Sequence, residues 1–294
     1  MRPAIIDKKQ ELMPRIMKLK EKARWVRKEV LEMCVRTGSG HIASSFSCTD
    51  ILVALYYGKL LRFKPDNPAW EKRDRFIMSK GHGAIALYPI LADLGFFSQD
   101  ELAKFCRSDG FLGVHPDHNI PGIEVVTGSL GHGLGIAAGL ALGAKIDDKN
   151  HLIVALLGDG ECYEGAVWEA AMFAAHHKLN SLIGIVDRNG LSVTDFTEAS
   201  LRLDPLEDKW RAFGWDVVTI DGHSFSEILT ALAHFRARNS SKPLVILANT
   251  VKGKGVSFME NNPLAHTMVP TGEHLEIARR ELNSEVTEPL NEEG

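Results

Sequence analysis

Apolar side chains recur along this chain with two different periods, and the switches between them outline the fold. Over residues 7–37, Ile16, Leu19, Ala23, Val26, Val30 and Met33 fall at spacings of three and four, which places them on one face of a long helix. Gly38-Ser39-Gly40-His41 stops that helix in a loop, and Cys48-Thr49-Asp50 is placed to cap a second helix from Ile51 to Tyr57. Phe76-Ile77-Met78 reads as a short strand. It leads into the turn Ser79-Lys80-Gly81-His82-Gly83 and an apolar helix through Leu94. Asp117 to Gly122 is a loop bearing Pro and Gly, and Gly128-Ser129-Leu130-Gly131-His132-Gly133 opens onto a helix of small residues over 136–145.

In the second half, apolar runs at 152–157 and 182–186 and strand-like runs at 215–220 and 243–250 alternate with helical segments, one following Glu164 and one over 225–238. Continuous apolar strands separated by helices predict an α/β fold, a parallel sheet covered by helices on both faces. With no internal repeat and no low-complexity linker, residues 1–294 read as a single domain with an N-terminal helical arm. The last twenty residues carry Glu276, Glu281, Glu285, Glu288, Glu292 and Glu293 and read as a frayed acidic tail.

Composition narrows the partners. Hydrophobic content of 45% and charged content of 24% are ordinary for a globular protein, and a net charge of −4 offers no basic footprint for nucleic acid or an anionic membrane. No stretch approaches the roughly 18 uninterrupted apolar residues of a membrane span, and the N-terminus lacks the apolar core of a secretion signal. A cytoplasmic protein is expected. Cys34, Cys48, Cys106 and Cys162 are scattered without a Cys-x-x-Cys pair, so buried free thiols are expected.

In open α/β sheets ligands collect beyond the carboxyl ends of the strands. The segments expected on that edge are 38–45, 79–83, 113–116, 127–133, 158–165, 187–193 and 250–255. Two carry the sharpest signal: Gly158-Asp159-Gly160 ends one apolar run, and Asn189, thirty positions on, ends the next. A carboxylate and a carboxamide on adjacent strand ends suit a hard divalent cation that keeps other positions for water and substrate phosphates. Gly158 and Gly160 would let backbone approach a phosphate, and the helix after Glu164 would aim its amides at the same place. Taken alone, Gly-Asp-Gly is equally a tight β–α turn with a capping Asp.

His41, His82, His115 and His266 lie in loops, and imidazole both donates to oxyanions and transfers protons near neutral pH. Any one of them, taken singly, would read as a structural residue. Their long spacings do not suit zinc. His118, His151, His176, His177, His223, His234 and His274 read as surface or loop residues, and His132 stays undecided. Glu169 fits favourable pairing with a helix dipole, whereas Glu164 falls within the turn and is expected buried near the ligand. The five tryptophans read as core or interface residues.

Gly158-Asp159-Gly160 followed by Asn189 resembles the thiamine diphosphate–metal motif. The flanking blocks resemble transketolase, in its N-terminal, diphosphate-binding half. They are Ser39-Gly40-His41, Lys80-Gly81-His82-Gly83, Gly113-Val114-His115-Pro116, the run from Gly122 to Gly131, Gly158 to Gly165, Asp187 to Leu191, and Thr250-Val251-Lys252-Gly253-Lys254-Gly255. In order and spacing they cover about 20–275, which would be the core of a thiamine diphosphate-binding fold of the diphosphate-holding type.

The resemblance implies that Asp159, Asn189 and the carbonyl of Leu191 bind Mg2+ or Ca2+. His82, Gly158, Gly160, Glu161 and Asn189 would surround the diphosphate, and Gly128, Ser129 and Leu130 would line the thiamine. His41 and His115 would face the transferred two-carbon unit, His266 would stabilise its oxyanion and touch the diphosphate, and Glu164 would link two active sites across a dimer. The reaction implied moves glycolaldehyde from a ketose phosphate to an aldose phosphate, as in pentose phosphate interconversion. Around His266 the two-chain form of the family has Trp-His-Gly, whereas this chain has Ala265-His266-Thr267. Only forty residues follow Lys254, too few for the second α/β domain. A separate C-terminal subunit is therefore expected to supply the pyrimidine-binding glutamate, in an α2β2 assembly. Two other readings stay open: the same cofactor acting on a branched or modified ketose phosphate or an oxo acid, and a non-catalytic scaffold relative.

Overall fold

A computed structural model describes residues 4–193 and 195–284. In chain order the elements are α1 (Ala4–Thr37), α2 (Ile42–Tyr57), β1 (Arg75–Met78), α3 (Leu87–Asp93), α4 (His132–Ile146), β2 (Ile153–Gly158), α5 (Gly165–His176) and β3 (Leu182–Arg188). There follow the short β4 (Leu191–Ser192) and β5 (Asp195–Phe196), α6 (Thr197–Ser200), α7 (Leu206–Ala212), β6 (Asp216–Asp221), α8 (Phe225–Ala237), β7 (Leu244–Asn249) and α9 (Gly272–Asn283). Five strands form one parallel sheet in the order β1-β2-β3-β7-β6, and β4 and β5 pair as a separate antiparallel ribbon.

The apolar strand runs are explained by burial on both faces. Val154 and Leu156 of β2, with Ile183 and Ile185 of β3 and Ile246 of β7, pack beneath α1, α2 and α8. The alternate residues Ile153, Ala155 and Leu157, with Val186 and Leu247, pack beneath α4, α5 and α7. Side chains alternate across a strand, so a sheet covered twice leaves no polar position along its centre. The α/β fold expected from the pattern is the one observed. Among the described residues no helix is long and apolar enough to cross a membrane.

Three expectations need correction. The helix expected to begin at Ile51 begins at Ile42, so residues 42–45 are helical and Cys48-Thr49-Asp50 lies inside α2 rather than capping it. This helix is buried along nearly its whole length, which erases the one-sided periodicity. Its polar side chains bond inward: Ser47 Oγ donates to Ser44 O at 3.0 Å, Thr49 Oγ1 to Ser45 O at 2.8 Å, and Asp50 accepts from Arg27 of α1 at 2.6 Å.

The expected tail is helical over its first part. Glu276 and Glu281 lie within α9, anchored by Arg279 donating to Glu32 at 2.8 Å and Ser257 donating to Glu281 at 2.6 Å. Glu285, Glu288, Glu292 and Glu293 lie outside the described residues. Finally, the four cysteines are free, but only Cys34, Cys48 and Cys162 are buried; Cys106 is exposed, at a left-handed backbone position.

Candidate functional site

Because β1, β2, β3 and β7 run parallel, their carboxyl ends deliver Lys80, Gly158, Asn189 and Lys252 to one edge of the sheet. A cavity of about 220 Å³ opens there. Every one of the seven segments expected on that edge contributes a wall: His41 and Ser44, Lys80 and His82, His115, Gly128 and Leu130, Gly158 to Glu161, Asn189 with Leu191 to Val193, and Lys252. His266 closes the ring from the turn after Pro263–Ala265.

The four loop histidines meet in this cavity. The ring of His41 lies 5.0 Å from that of His266, 5.6 Å from that of His82 and 6.0 Å from that of His115. Burial, reinforced by His115, Lys252 and Lys80, pushes His41 down to about 4. Burial with Lys252 and His41 does the same to His266. His82 is lowered well below its ordinary value, again chiefly by burial, and His115 is lowered by burial. At neutral pH the four rings are therefore neutral, each with one donor and one acceptor nitrogen. The Nδ1 atoms of His41 and His266 are buried without a hydrogen-bond partner in the protein. Buried polar atoms left without a partner, on two side chains that line a cavity, are uncommon in folded proteins and mark the site as one with hydrogen-bonding capacity to spare. His266 takes this position with Ala265 and Thr267 as its chain neighbours.

Asp159 and Asn189 share the cavity wall, as expected from their strand ends. Asp159 is 2% exposed. Its carboxylate accepts from the Gly160 amide at 2.8 Å and the Gly190 amide at 2.6 Å. Burial first, and the nearby Asp187 second, push it up to about 6. A buried carboxylate held only by amides is undercompensated, and a cation in the cavity would supply the missing charge. Among the described residues no group of three or more His, Cys, Asp or Glu side chains is arranged to hold a metal. The set on offer, one carboxylate with a carboxamide and backbone oxygen, fits an oxygen-seeking cation that draws further ligands from a bound phosphate.

The glycines of the turn serve partly other ends than expected. A Cβ on Gly160 would lie 2.9 Å from Ser192 Oγ, so this glycine admits β4. One on Gly158 would meet nothing nearer than 3.9 Å. The first turn of α5 does not line the cavity; the single 3-10 turn Gly160–Tyr163 stands between them. Glu161 is buried and acts as a staple, its carboxylate accepting from the amides of Gly158 at 3.0 Å and Gly131 at 2.9 Å and from Ser79 Oγ. Glu164, expected to be buried near the ligand, is exposed and outside the cavity lining; its Cβ leans on Gly131. Ser129 is likewise exposed and does not line the cavity.

Three charged residues here escaped the sequence reading of the site. Lys80 and Asp187 form an ion pair that is almost wholly buried. Burial alone would drive both toward neutrality, but each holds the other charged: Lys80 is raised above its ordinary value and Asp187 lowered. Lys252 is 1% exposed, donates to Val193 O at 3.2 Å, and is pushed down to about 8 by burial and by Lys80. Lys80 and Lys252 stood inside the resembling blocks, and only the fold shows that they face the cavity.

Comparisons with known proteins agree with this geometry. Residues 19–291 match the family described as transketolase, thiamine diphosphate binding domain. The chain is 43% identical over 268 residues to the 6-deoxy-6-sulfo-D-fructose transketolase subunit SqwG of a Clostridium species, covering 91% of this chain and 97% of that one. It is 42% identical over 268 residues to an apulose-4-phosphate transketolase subunit of Phocaeicola vulgatus, covering 91% and 94%. The crystal structure of transketolase from Campylobacter jejuni superposes with a TM-score of 0.84 at 32% identity, covering 90% of this chain and 42% of that one. The chain thus belongs to the transketolase family of transferases, as its N-terminal, thiamine diphosphate-binding unit.

Proposed function

We propose that this chain binds thiamine diphosphate with Mg2+ or Ca2+ and works with a separate C-terminal transketolase subunit. Together they transfer a two-carbon glycolaldehyde unit from a ketose phosphate to an aldose phosphate. The observation that carries the proposal is the convergence of Asp159, Asn189 and four neutral histidines on one cavity at the strand ends. A second subunit is supported by the relatives named as subunits. It is supported also by the exposed apolar side chains Val126, Val193 and Leu264, each within or beside a segment that lines the cavity.

In this reading Asp159, Asn189 and the Leu191 carbonyl hold the cation. Gly160, Asn189 and His82 hold the diphosphate, and Gly128 and Leu130 lie along the thiamine. The bound cofactor supplies an electron sink for cleaving the carbon–carbon bond beside a ketone. His41 and His115 orient the hydroxyls of the sugar by donating to one oxygen and accepting from another. His266, kept neutral beside Lys252, donates to the sugar oxygen that gains negative charge. Exposed Glu164 is assigned to contact across a dimer.

A second reading of the substrate has its own support. Both relatives act, by their names, on particular sugars, 6-deoxy-6-sulfo-D-fructose and apulose 4-phosphate. The donor is then an unusual ketose rather than a common pentulose phosphate. Calorimetry of the purified chain with thiamine diphosphate and Mg2+, followed by transketolase assays with the partner over a panel of ordinary, branched and sulfonated ketoses, tests both readings. No cofactor binding with partner present would leave only a scaffold role, and activity of this chain alone would remove the need for a second subunit.

A further inference from the structure

Behind the cavity wall, one carboxylate that takes no part in lining it gathers four side-chain donors. Asp187 Oδ2 accepts from Ser47 Oγ at 2.6 Å, from Lys80 Nζ, and from Asn189 Nδ2 at 3.4 Å; Oδ1 accepts from Thr250 Oγ1. The donors come from α2, the segment after β1, the end of β3 and the segment after β7, so the carboxylate ties together the elements whose ends form the cavity. Lys80 is itself tethered to α2 through Ser44 O at 3.0 Å.

The consequence concerns Asn189. A charged carboxylate can only accept, so the end of the Asn189 amide that faces Asp187 must be the NH2. The Leu191 amide, which can only donate, faces Asn189 Oδ1 at 3.1 Å. Between them the two contacts decide that Asn189 turns its oxygen, not its nitrogen, toward the segment assigned to the cation. Lys80 then cancels the charge of Asp187, which leaves Asp159 as the carboxylate of the pair with a face on the cavity.

We propose that Asp187 and Lys80 are positioning residues for the cation: Asp187 sets the orientation of the Asn189 carboxamide, and Lys80 keeps Asp187 occupied so that it does not become a ligand. This inference rests on the cation site proposed above and extends it behind the ligands. Asp187→Asn offers Asn189 a partner that can donate, so only the Leu191 amide is left to hold the carboxamide in its orientation. Replacing the pair by Lys80→Met with Asp187→Leu removes both buried charges together, a change that folded proteins commonly tolerate, but it also removes the anchor of Asn189.

The test is binding of Mn2+ to this chain in complex with its C-terminal partner, at saturating thiamine diphosphate, read by electron paramagnetic resonance, with circular dichroism melts to establish folding. The wild-type chain should bind Mn2+, and each folded variant should bind it about 10–100-fold more weakly, the usual loss when a partner behind a metal ligand is removed. At saturating cofactor and metal, the KM for sugar measured with the partner should be unchanged. A purely structural role would lower the melting temperature and leave the Mn2+ affinity of the folded protein alone, and a change below about tenfold in affinity overturns the proposal. Should Asp187→Asn fail to fold, the charge-neutral pair decides by the same criterion. Failure of the wild type to bind Mn2+ would instead overturn the cation site itself.

Discussion

The carboxylate of Asp159 accepts the amide proton of Gly190 at 2.6 Å, across thirty-one positions of sequence. That bond joins the turn after β2 to the turn after β3 and brings Asp159 beside Asn189. Asp159→Ala should abolish metal-dependent binding of thiamine diphosphate, measured by calorimetry. Loss of the hydrogen bonds should cost the fold about 1–2 kcal/mol at most, because an undercompensated buried charge is removed with them. Cofactor affinity equal to wild type would show that Asp159 does not hold the cation.

His41 contributes its ring to the cavity from the start of α2. His41→Ala should leave cofactor affinity close to wild type while turnover with the partner falls by about 10²–10⁴, the range for losing a proton-handling group. Unchanged turnover would remove His41 from the site.

Acid stability offers a separate check on the cluster. His41 and His266 sit at about 4 in the folded protein against an ordinary 6.5. Between those values the unfolded chain binds protons that the folded chain refuses, so stability should fall as pH drops from about 6.5 to about 4. The double variant His41→Asn with His266→Asn should melt with a visibly flatter pH dependence across that window. Asp50 acts in a lower window. Burial would raise it, but Arg27 and His223 hold it at about 2, so its contribution is present above its ordinary 3.8 and lost as pH falls through about 2.

Asp50 also anchors the fold. It accepts from Arg27 at 2.6 and 3.1 Å and faces His223 Nδ1 at 2.7 Å, while His223 Nε2 accepts the Val251 amide at 2.9 Å. Asp50→Asn strands the buried Arg27 and should cost about 3–5 kcal/mol in urea denaturation. A loss under about 1 kcal/mol would mean that the pair is solvated in practice.

Two glycines should respond in opposite ways to the same substitution. Gly131 has φ +88° and a Cβ there would lie 2.5 Å from Glu164 Cβ. Gly131→Ala should cost about 1–3 kcal/mol. Gly139, inside α4 with nothing within 4 Å of an added Cβ, should stabilise the isolated chain by about 0.5–1 kcal/mol when changed to Ala. Thermal melts of the two variants check both signs.

The parallel sheet was legible because strands such as β2 and β3, buried on both faces, write themselves as apolar runs ending in turn residues. The site edge was legible for the same reason: once the strands are placed, their following segments share an edge. The first half of α2 was not, because a helix buried all round has no polar face to mark its period. The exposure of Glu164 and Cys106 was not either, since neither periodicity nor turn chemistry says which side of a loop meets solvent.

The amino-acid sequence by itself determined the order of strands and helices, the glycine-bounded turns, and the residue types brought to the ligand edge, all of which follow from local propensity and burial pattern. Only the tertiary structure decided that His41, His82, His115 and His266 share one cavity. It alone paired Lys80 with Asp187 across 107 positions. Such contacts depend on how the sheet orders β1, β2, β3 and β7 and on how α2 seats beneath them, and pairings between distant segments leave no periodic trace in the chain.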